Sequence, residues 1–552
     1  MLILLFFLMG TVLYLTLNRP FLNLACHQDA GWHSYWAAFH NRGVSLRQQM
    51  NVLVGCTRLG SKFLFRLWFA LFGVGDPERI SRRVFLAWNW ATAGLLLAGM
   101  SILLPNQFAL GAVVWIVYLV GSSNPFFGIH FETAERSALL LSVAICVLVV
   151  SCLARPAQPW LIGLVVFLMF MSSLLFKISQ LVEYFPLWLV ALWHEPGWDR
   201  LLFSVAGATA AIVLFFLFLW RNGLLLQENL GVIGYAARPR ASPNTDPETL
   251  CPKIAQSVRV GLLRRLLLAL VLCPVWPKLA PVAMRIAWRP YSTVRAAWHF
   301  MPPLLRSSRC LLLLVLLGLV LRPHYPIPER LAVAWLAGCL TAIVLQGRFF
   351  YFHFIPCLPA ASILAGMGIW KLWGPLSAGH APAVGLTSLL AVLLLLDLTH
   401  IVRLLSRTCP TPLELRLWPV ADWHIMEKNL AAAEVAGYIT ETTREDDYVL
   451  VWGCVPQLHV LCGRRSPINW LNTNSGLMDP VLPTWRTILV ENVTRLRPQL
   501  LIQFDEDLDL PGLERDTGLD YSPDRTFYHG RYRVFRLNPT AAADRTPCGS
   551  RL

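Results

Sequence analysis

The chain has 552 residues, of which 56% are hydrophobic and 14% are charged, and its formal net charge is +15 at pH 7. Soluble domains carry about 25% charged residues, so this composition excludes an ordinary soluble protein and predicts a chain embedded largely in lipid. The arginines lie beside apolar stretches, which favours anionic lipids or lipid phosphates over nucleic acid as partners of the positive charge.

Apolar stretches recur along the first 400 residues or so. A membrane-spanning helix needs roughly 20 mainly apolar residues. Eleven stretches are candidate spans, at 2–17, 84–104, 107–121, 137–154, 158–176, 201–220, 260–277, 310–321, 331–346, 349–370 and 383–401. The first has no basic start and no small-residue cleavage site, so we predict a retained span rather than a removed signal peptide.

Two long segments between these stretches are predicted to lie along the membrane surface. Residues 18–83 and 278–309 carry basic residues together with apolar and aromatic residues at helical spacing, a pattern typical of interfacial helices. The run "PLWLVALW" at 186–193 is too short to span and is expected to dip into the surface. The nearby acids Glu183, Glu195 and Asp199 are interpreted as solvated loop acids. Asp397, near the end of the last predicted span, is interpreted as having no special role.

After about residue 405 the pattern changes to that of a small soluble domain. The runs "DDYVLVWGCV" and "RPQLLIQF" predict β-strands, and "AAAEVAGYITETTRED" predicts an amphipathic helix. We therefore predict a transmembrane domain over 1–404 and a soluble α/β domain over 405–552. Eleven spans would put the two termini on opposite sides of the membrane, although the distribution of arginine gives no clear orientation.

Three stretches could carry chemistry, and with eleven spans all three emerge on the same side of the membrane. They contain, in chain order, Asp29 with His27, Trp32, His33 and Tyr35; Glu132 and Glu135, one helical turn apart; and Arg348, Tyr351 and His353. A carboxylate can take a proton from an attacking hydroxyl, and the arginine fork can hold a phosphate bidentately. Together these groups suit a substrate that carries both hydroxyls and phosphate.

The same residues also have ordinary structural interpretations. Asp29 could cap a helix that begins near Gly31, Glu132 or Glu135 could form the acidic first turn of a helix, and Arg348 could anchor a span at the headgroups. The histidines of the first loop are at an awkward spacing for metal ligands on one helix, so interfacial positions are favoured over a metal site.

An Asp-centred loop after the first span, an acidic second loop leading into the fourth, and a late R-x-x-Y-x-x-x-x-P-x-x-P motif resemble the GT-C superfamily. The late motif stands here as Arg348, Tyr351, Pro356 and Pro359. More narrowly, the chain resembles the protein O-mannosyltransferase and aminoarabinose-transferase-like branch, whose members use polyprenyl-phosphate sugars. The C-terminal stretch up to "YRVFRL" is similar to the external domain of many bacterial members.

This resemblance implies a polytopic α-helical enzyme that transfers a sugar, with inversion, from a lipid-phosphate donor outside the cytoplasmic membrane. It implies Asp29 as the base, although the family's usual second acid is replaced here by Ala30. The remaining expected roles are assistance by Glu132 or Glu135, donor-phosphate binding by Arg348, Tyr351, Arg289 and Arg295, and substrate binding by His33, Tyr35 and His353.

The resemblance also sets the expected partners and location. These are a polyprenyl-phosphate sugar, membrane lipids and a glycan, lipid or protein acceptor, with no nucleic acid, no cofactor and no metal. The expected location is a bacterial cytoplasmic membrane, with the active site and the C-terminal domain outside, where that domain covers the site or selects the acceptor. Two alternatives are a transporter of lipid-linked or small solutes, against which the lack of duplicated halves argues, and an envelope scaffold, which leaves the acids and arginines unexplained.

Overall fold

The computed structural model describes residues 2–19, 31, 34–35, 37–39, 59–73, 77–124, 134–154, 158–177, 179–194, 196–221, 305, 308–321, 326–346, 351–378, 380–405, 421–453, 455–468, 485–504 and 508–538. The chain forms two compact units. The membrane unit comprises Met1–Leu22, Arg83–Phe218 and Ala236–Trp418, and the C-terminal unit comprises Asn23–Arg82, Leu219–Tyr235 and Pro419–Leu552.

Most of the described chain before residue 406 is α-helical. The helices are α1 (Leu2–Asn18), α2 (Leu59–Phe72), α3 (Pro77–Leu103), α4 (Phe108–Ser122), α5 (Ala134–Ala154), α6 (Pro159–Leu175), α7 (Gln180–His194), α8 (Trp198–Arg221), α9 (Arg309–Val320), α10 (Pro326–Gln346), α11 (Cys357–Ser377) and α12 (Ala381–Leu405). A short 3-10 helix, Tyr351–Phe354, precedes α11. Ten of the eleven predicted stretches coincide wholly or partly with these elements, and 260–277 lies outside the described residues.

Four of the described helices are long and apolar enough to cross a membrane. They contain the segments Arg82–Leu103, Arg136–Leu153, Trp198–Arg221 and Ile327–Val344. Five further apolar helices are shorter, at Ile3–Asn18, Phe108–Ser122, Pro159–Leu175, Arg309–Val320 and Ala381–Asp397. The count of eleven spans therefore stays a prediction.

Glycine allows several helices of the membrane unit to approach closely. Between α9 and α11, a methyl group at Gly318 would overlap the carbonyl oxygen of Leu364, and one at Gly368 would lie 2.5 Å from the carbonyl oxygen of Leu314. Small residues at such crossings favour association in lipid, where apolar surface alone provides little driving force between helices. The α9–α11 contact is thus fixed by two glycines on facing helices.

Helix α7 contains the run at 186–193 and packs against α10. Glu183, in its first turn, is only 4% exposed. Its neighbour Tyr184 shares hydrogen bonds with Ser142 at 2.6 Å and Ser172 at 3.1 Å. The interpretation of Glu183 as a solvated acid is therefore wrong, because the helix containing it is longer than the apolar run suggested and lies against its neighbours. Asp199, at the start of α8, is exposed as expected.

Two ion pairs provide hydrogen-bond partners for the backbone groups at the two ends of α9. At its C-terminal end, Lys371 Nζ donates to the carbonyl oxygens of Gly318 and Leu321, both at 3.0 Å, and pairs with Glu329 at 2.8 Å. At its N-terminal end, Asp397 accepts from the backbone N–H of Cys310 at 3.0 Å and pairs with Arg309. A cation at the C-terminus and an anion at the N-terminus both complement the helix dipole, so Asp397 has a structural role that its sequence context did not indicate.

The C-terminal unit contains a four-stranded sheet. Its elements are α13 (Ala421–Thr442), β1 (Val449–Trp452), α14 (Gln457–Cys462), α15 (Trp485–Leu496), β2 (Leu500–Phe504), α16 (Leu510–Thr517), β3 (Tyr521–Phe527) and β4 (Tyr532–Leu537). The strand order is β1-β2-β4-β3; β1 and β2 are parallel, and the other two pairings are antiparallel. Parallel strands need a long crossover, which here includes α14 and α15.

Both faces of this sheet are covered. Alternate residues of a strand point to opposite faces, and in β1 Val449 and Val451 pack with α13 and α14, whereas Leu450 and Trp452 pack with α15 and α16. The predicted amphipathic helix and β-type runs after residue 405 therefore form one small α/β fold.

Candidate active site

Buried polar side chains join the ends of three helices in the membrane unit. Asn18, the last residue of α1, donates from Nδ2 to Ser123 Oγ at 2.7 Å, and Asn124 donates from Nδ2 to Ser308 Oγ at 3.1 Å. All four side chains are buried. The C-terminal ends of α1 and α4 therefore meet the N-terminal end of α9, and the chain leaves α1 and α4 at this end toward the two acidic loops in the sequence.

A fully buried arginine lies in the first turn of α5. Arg136, the third residue of that helix, interacts electrostatically with the hydroxyls of Tyr14 and Tyr118, which are also buried. The Tyr14 hydroxyl donates to the carbonyl oxygen of Leu86 at 3.1 Å. A charge held inside a membrane helix bundle is costly and usually marks a functional site.

Two further polar groups line the same region. Asn89, on α3, lies beside Tyr14 and is fully buried. Tyr14 lies close to the Asn89 amide and Thr92 lies close to the Tyr118 hydroxyl, but neither group forms a hydrogen bond of regular geometry with a described residue. Buried polar groups nearly always have partners, so this cluster has the capacity to hold a polar ligand. We call Tyr14, Asn89, Tyr118 and Arg136 the α5 polar cluster.

The late motif folds back into the membrane unit. Its 3-10 helix, Tyr351–Phe354, contacts α5 and α10, and His353 within it is buried. Two residues after this helix, the carbonyl oxygen of Pro356 accepts from Cys339 Sγ at 3.4 Å. Cys339 lies about two helical turns, or roughly 10 Å, before the end of α10. The segment after α10 therefore turns back along that helix into the bundle. The 3-10 helix with His353 thus lies inside the bundle, against α5, whose first turn contains Glu135 and Arg136.

The residues that were predicted to form the site differ in how far the structure describes them. The side chains of Glu135 and Tyr351 are not described, but their backbones lie in α5 and in the 3-10 helix. Six of the predicted residues lie outside the described residues altogether: Asp29, His33, Glu132, Arg289, Arg295 and Arg348. The placement of Asp29 and Arg348 on the same side of the membrane therefore stays a prediction.

Sequence reasoning missed Arg136, although the signal was present. It stands directly after Glu135 and directly before a long apolar run, where an arginine is most often a headgroup anchor. It is completely buried, and the tyrosines with which it interacts lie on α1 and α4, which are distant in sequence. An arginine preceded by two acids at the start of a span was the pattern that could have identified it.

Tyr35, predicted to bind substrate, is buried within the C-terminal unit. Its hydroxyl accepts from the backbone N–H of Ser466 at 3.1 Å, and its ring centroid lies 5.4 Å from that of His459. Burial raises the pKa of Tyr35 to about 12, so the hydroxyl stays protonated. The contacts described for Tyr35 are thus with the C-terminal domain, and substrate contact stays a prediction.

His459 makes this unit sensitive to acid. Burial lowers the pKa of His459 to about 4, against 6.5 for an ordinary histidine, while a hydrogen bond to the carbonyl oxygen of Arg464 partly offsets the shift. Because the unfolded chain binds the proton first, stability should fall as pH drops from about 6.5 to 4, by up to about 3 kcal/mol. Thermal midpoints of the full-length protein across this range should fall more for wild type than for His459→Gln; equal slopes would contradict the prediction.

Among the described residues, no three His, Cys, Asp or Glu side chains are grouped closely enough to hold a metal ion. The polar groups described above are instead amides, hydroxyls and a guanidinium. Such groups are suited to hydrogen-bonding hydroxyls and phosphate oxygens.

Comparison with known proteins gives one clear result. No family model and no curated protein matches the chain. Among solved structures, ArnT from Cupriavidus metallidurans bound to undecaprenyl phosphate matches with a TM-score of 0.56 at 12% sequence identity, over 98% of this chain and 99% of that chain. The chain has the ArnT fold.

This match confirms the expected architecture, with a helical membrane region followed by a small α/β domain. Together with the apolar helices, the ArnT fold identifies an integral membrane protein. The apo structure of ArnT matches over the same shares of the two chains with a TM-score of 0.45 at 12% identity.

Proposed function

We propose that the protein is a membrane glycosyltransferase that moves one sugar from a polyprenyl-phosphate-linked donor to a hydroxyl of an extracytoplasmic acceptor, with inversion. The observation that carries this proposal is the ArnT fold over nearly the whole chain. ArnT binds undecaprenyl phosphate, which supports a polyprenyl phosphate as a partner here. The α5 polar cluster adds a buried cation and hydroxyls suited to an anionic sugar lipid.

In the proposed reaction, Asp29 accepts the proton of the acceptor hydroxyl, and the resulting oxygen attacks the anomeric carbon. The bond between that carbon and the phosphate oxygen breaks, and the lipid phosphate leaves with the electron pair. Glu132 or Glu135 assists the base. A carboxylate in this role contributes typically 10²- to 10⁴-fold to the rate.

The leaving phosphate needs positive charge in a site from which water is excluded. We assign this role to Arg348 and Tyr351 of the late motif, joined by Arg289 and Arg295. His33 and His353 are assigned to the substrate, and the burial of His353 beside α5 and α10 supports a position inside the bundle. Preorganised donors of this kind act most strongly where the surroundings are poorly solvated.

Arg136 has a complementary role in this scheme. Its buried charge makes the electrostatic potential of the cluster positive, which favours an anionic donor headgroup. The buried Asn89 amide and Tyr118 hydroxyl are suited to sugar hydroxyls. No metal ion takes part in the proposed reaction.

The decisive test is a transfer assay with the purified protein in liposomes, a panel of radiolabelled polyprenyl-phosphate sugars, and an envelope fraction as acceptor. We expect a labelled covalent product together with an equal amount of free polyprenyl phosphate. Movement of intact labelled lipid across the bilayer, without a covalent product from any donor, would overturn the proposal in favour of a transporter.

A further inference from the structure

The loop after the first span presents a stripe of side chains to the C-terminal domain. The described residues between 31 and 39 are helical, and Gly31, Tyr35 and Phe39 follow one another at intervals of four. Residues at this spacing lie on one face of a helix. Tyr35 and Phe39 are buried, with ring centroids 4.5 Å apart.

This stripe packs on α14 of the same compact unit. Tyr35 and Phe39 form a hydrophobic cluster with Val460. At Gly31 the approach is closer still, because a methyl group there would overlap backbone atoms of Gln457. The position therefore accepts only glycine without a shift of the helix.

A hydrogen bond fixes the orientation of the stripe. The Tyr35 hydroxyl accepts from the Ser466 N–H at 3.1 Å, and the Tyr35 ring lies beside His459. Because burial keeps the pKa of His459 near 4, the contact is uncharged at neutral pH. Packing and one directional bond together set both the depth and the rotation of the first-loop helix.

Helix α14 is itself held firmly. Its residues Leu458 and Cys462 face the other way, into the core that covers β1 and β2. The first-loop helix is thus connected through one short helix to the central strands of the sheet. An element coupled to a packed core moves little, since cores resist small displacements.

We infer that the C-terminal domain positions the catalytic carboxylate, with Gly31, Tyr35 and Phe39 docked on α14 so that Asp29, two residues before Gly31, is held in place. The inference rests on the proposed function, in which Asp29 is the base. It gives the domain a part in the chemical step itself, in addition to covering the site or selecting the acceptor. Gly31, Phe39 and Val460 are positioning residues in this scheme.

The test compares Gly31→Ala with Gly437→Ala in the full-length protein. Gly437, on α13 of the same unit, has open space where the methyl group would go, so it controls for the substitution itself. A misplacement of about 1 Å can cost 10²-fold, so we expect kcat to fall roughly 10- to 100-fold in Gly31→Ala. The KM for the donor should stay within about twofold of wild type, and Gly437→Ala should match wild type in both.

A second readout is independent of activity. Hydrogen–deuterium exchange of residues 31–39 should be faster in Gly31→Ala than in wild type, with no change in α1 or the sheet. Val460→Ala removes part of the apolar contact with Tyr35 and Phe39. It should also speed exchange and lower kcat, by smaller amounts than Gly31→Ala. If Gly31→Ala does not fold, Val460→Ala provides the test.

The possible failures are distinguishable. Unchanged exchange at 31–39 would overturn the docking, and faster exchange with an unchanged kcat would overturn the positioning role. A loss of kcat matched by an equal rise in the donor KM would also overturn it. The absence of any transfer by wild type would instead overturn the proposed function, and the exchange measurement would still test the docking.

Discussion

Replacing Asp29 by Asn should reduce kcat by about 10²- to 10⁴-fold, the range expected when a general base is removed. The substitution keeps the size and polarity of the side chain but removes its ability to take a proton from the acceptor hydroxyl. Donor affinity should change little, because the phosphate is assigned to other residues. Single-turnover transfer from a labelled polyprenyl-phosphate sugar, with donor binding measured in parallel, checks both expectations.

Asp199→Asn is the matched control for this experiment. Asp199 is an exposed acid at the start of α8, and its substitution should leave transfer unchanged. If Asp29→Asn retains wild-type turnover, Asp29 is not the base, and the acid of the second loop becomes the leading candidate. Parallel variants Glu132→Gln and Glu135→Gln would then show which of the two glutamates takes that role.

Replacing Arg136 by Gln should weaken donor binding by about 30-fold or more. Arg136 is fully buried, and removing one partner from a buried charged interaction costs about 2–5 kcal/mol. Arg136→Lys keeps the charge but loses the planar fork, so it should bind donor with intermediate affinity. Titration with undecaprenyl phosphate measures this series directly.

Folding must be checked for the same variants, because a buried charge also contributes to structure. Arg330→Gln serves as the control, since Arg330 is an exposed arginine near the start of α10 and should bind donor like wild type. Arg136→Gln that keeps the wild-type thermal midpoint and full donor affinity would remove Arg136 from the site. A lower thermal midpoint in Arg136→Gln, combined with full donor affinity in Arg136→Lys, would assign Arg136 a structural role only.

The apolar helices were predictable because their signal is local. A run of apolar residues near the length of a membrane span fixes a helix without reference to its neighbours, and ten of the eleven predicted runs coincide with helices or their ends. The continuous apolar run at 449–452 likewise predicts a strand, and β1 covers these residues. Both patterns depend only on adjacent residues.

Glu183 shows where this kind of reasoning fails. Its position close to a short apolar run suggested a solvated loop. In the structure α7 packs against α10, which is about 150 residues later in the chain, and Glu183 is buried. Arg136 is a second case, since the tyrosines around it belong to α1 and α4. Whether a charged side chain is buried depends on the residues that pack around it, and here those residues are far away in the sequence.

By itself, the sequence determined that the chain is a polytopic helical membrane protein that ends in a small α/β fold, because hydropathy and periodicity are read from neighbouring residues. Only the tertiary structure decided that the first-loop helix docks on α14, through a bond between Tyr35 and Ser466 across 431 residues of sequence. It also decided that Arg136 is buried among polar groups. Contacts of this kind arise from packing between distant segments, which no local pattern encodes.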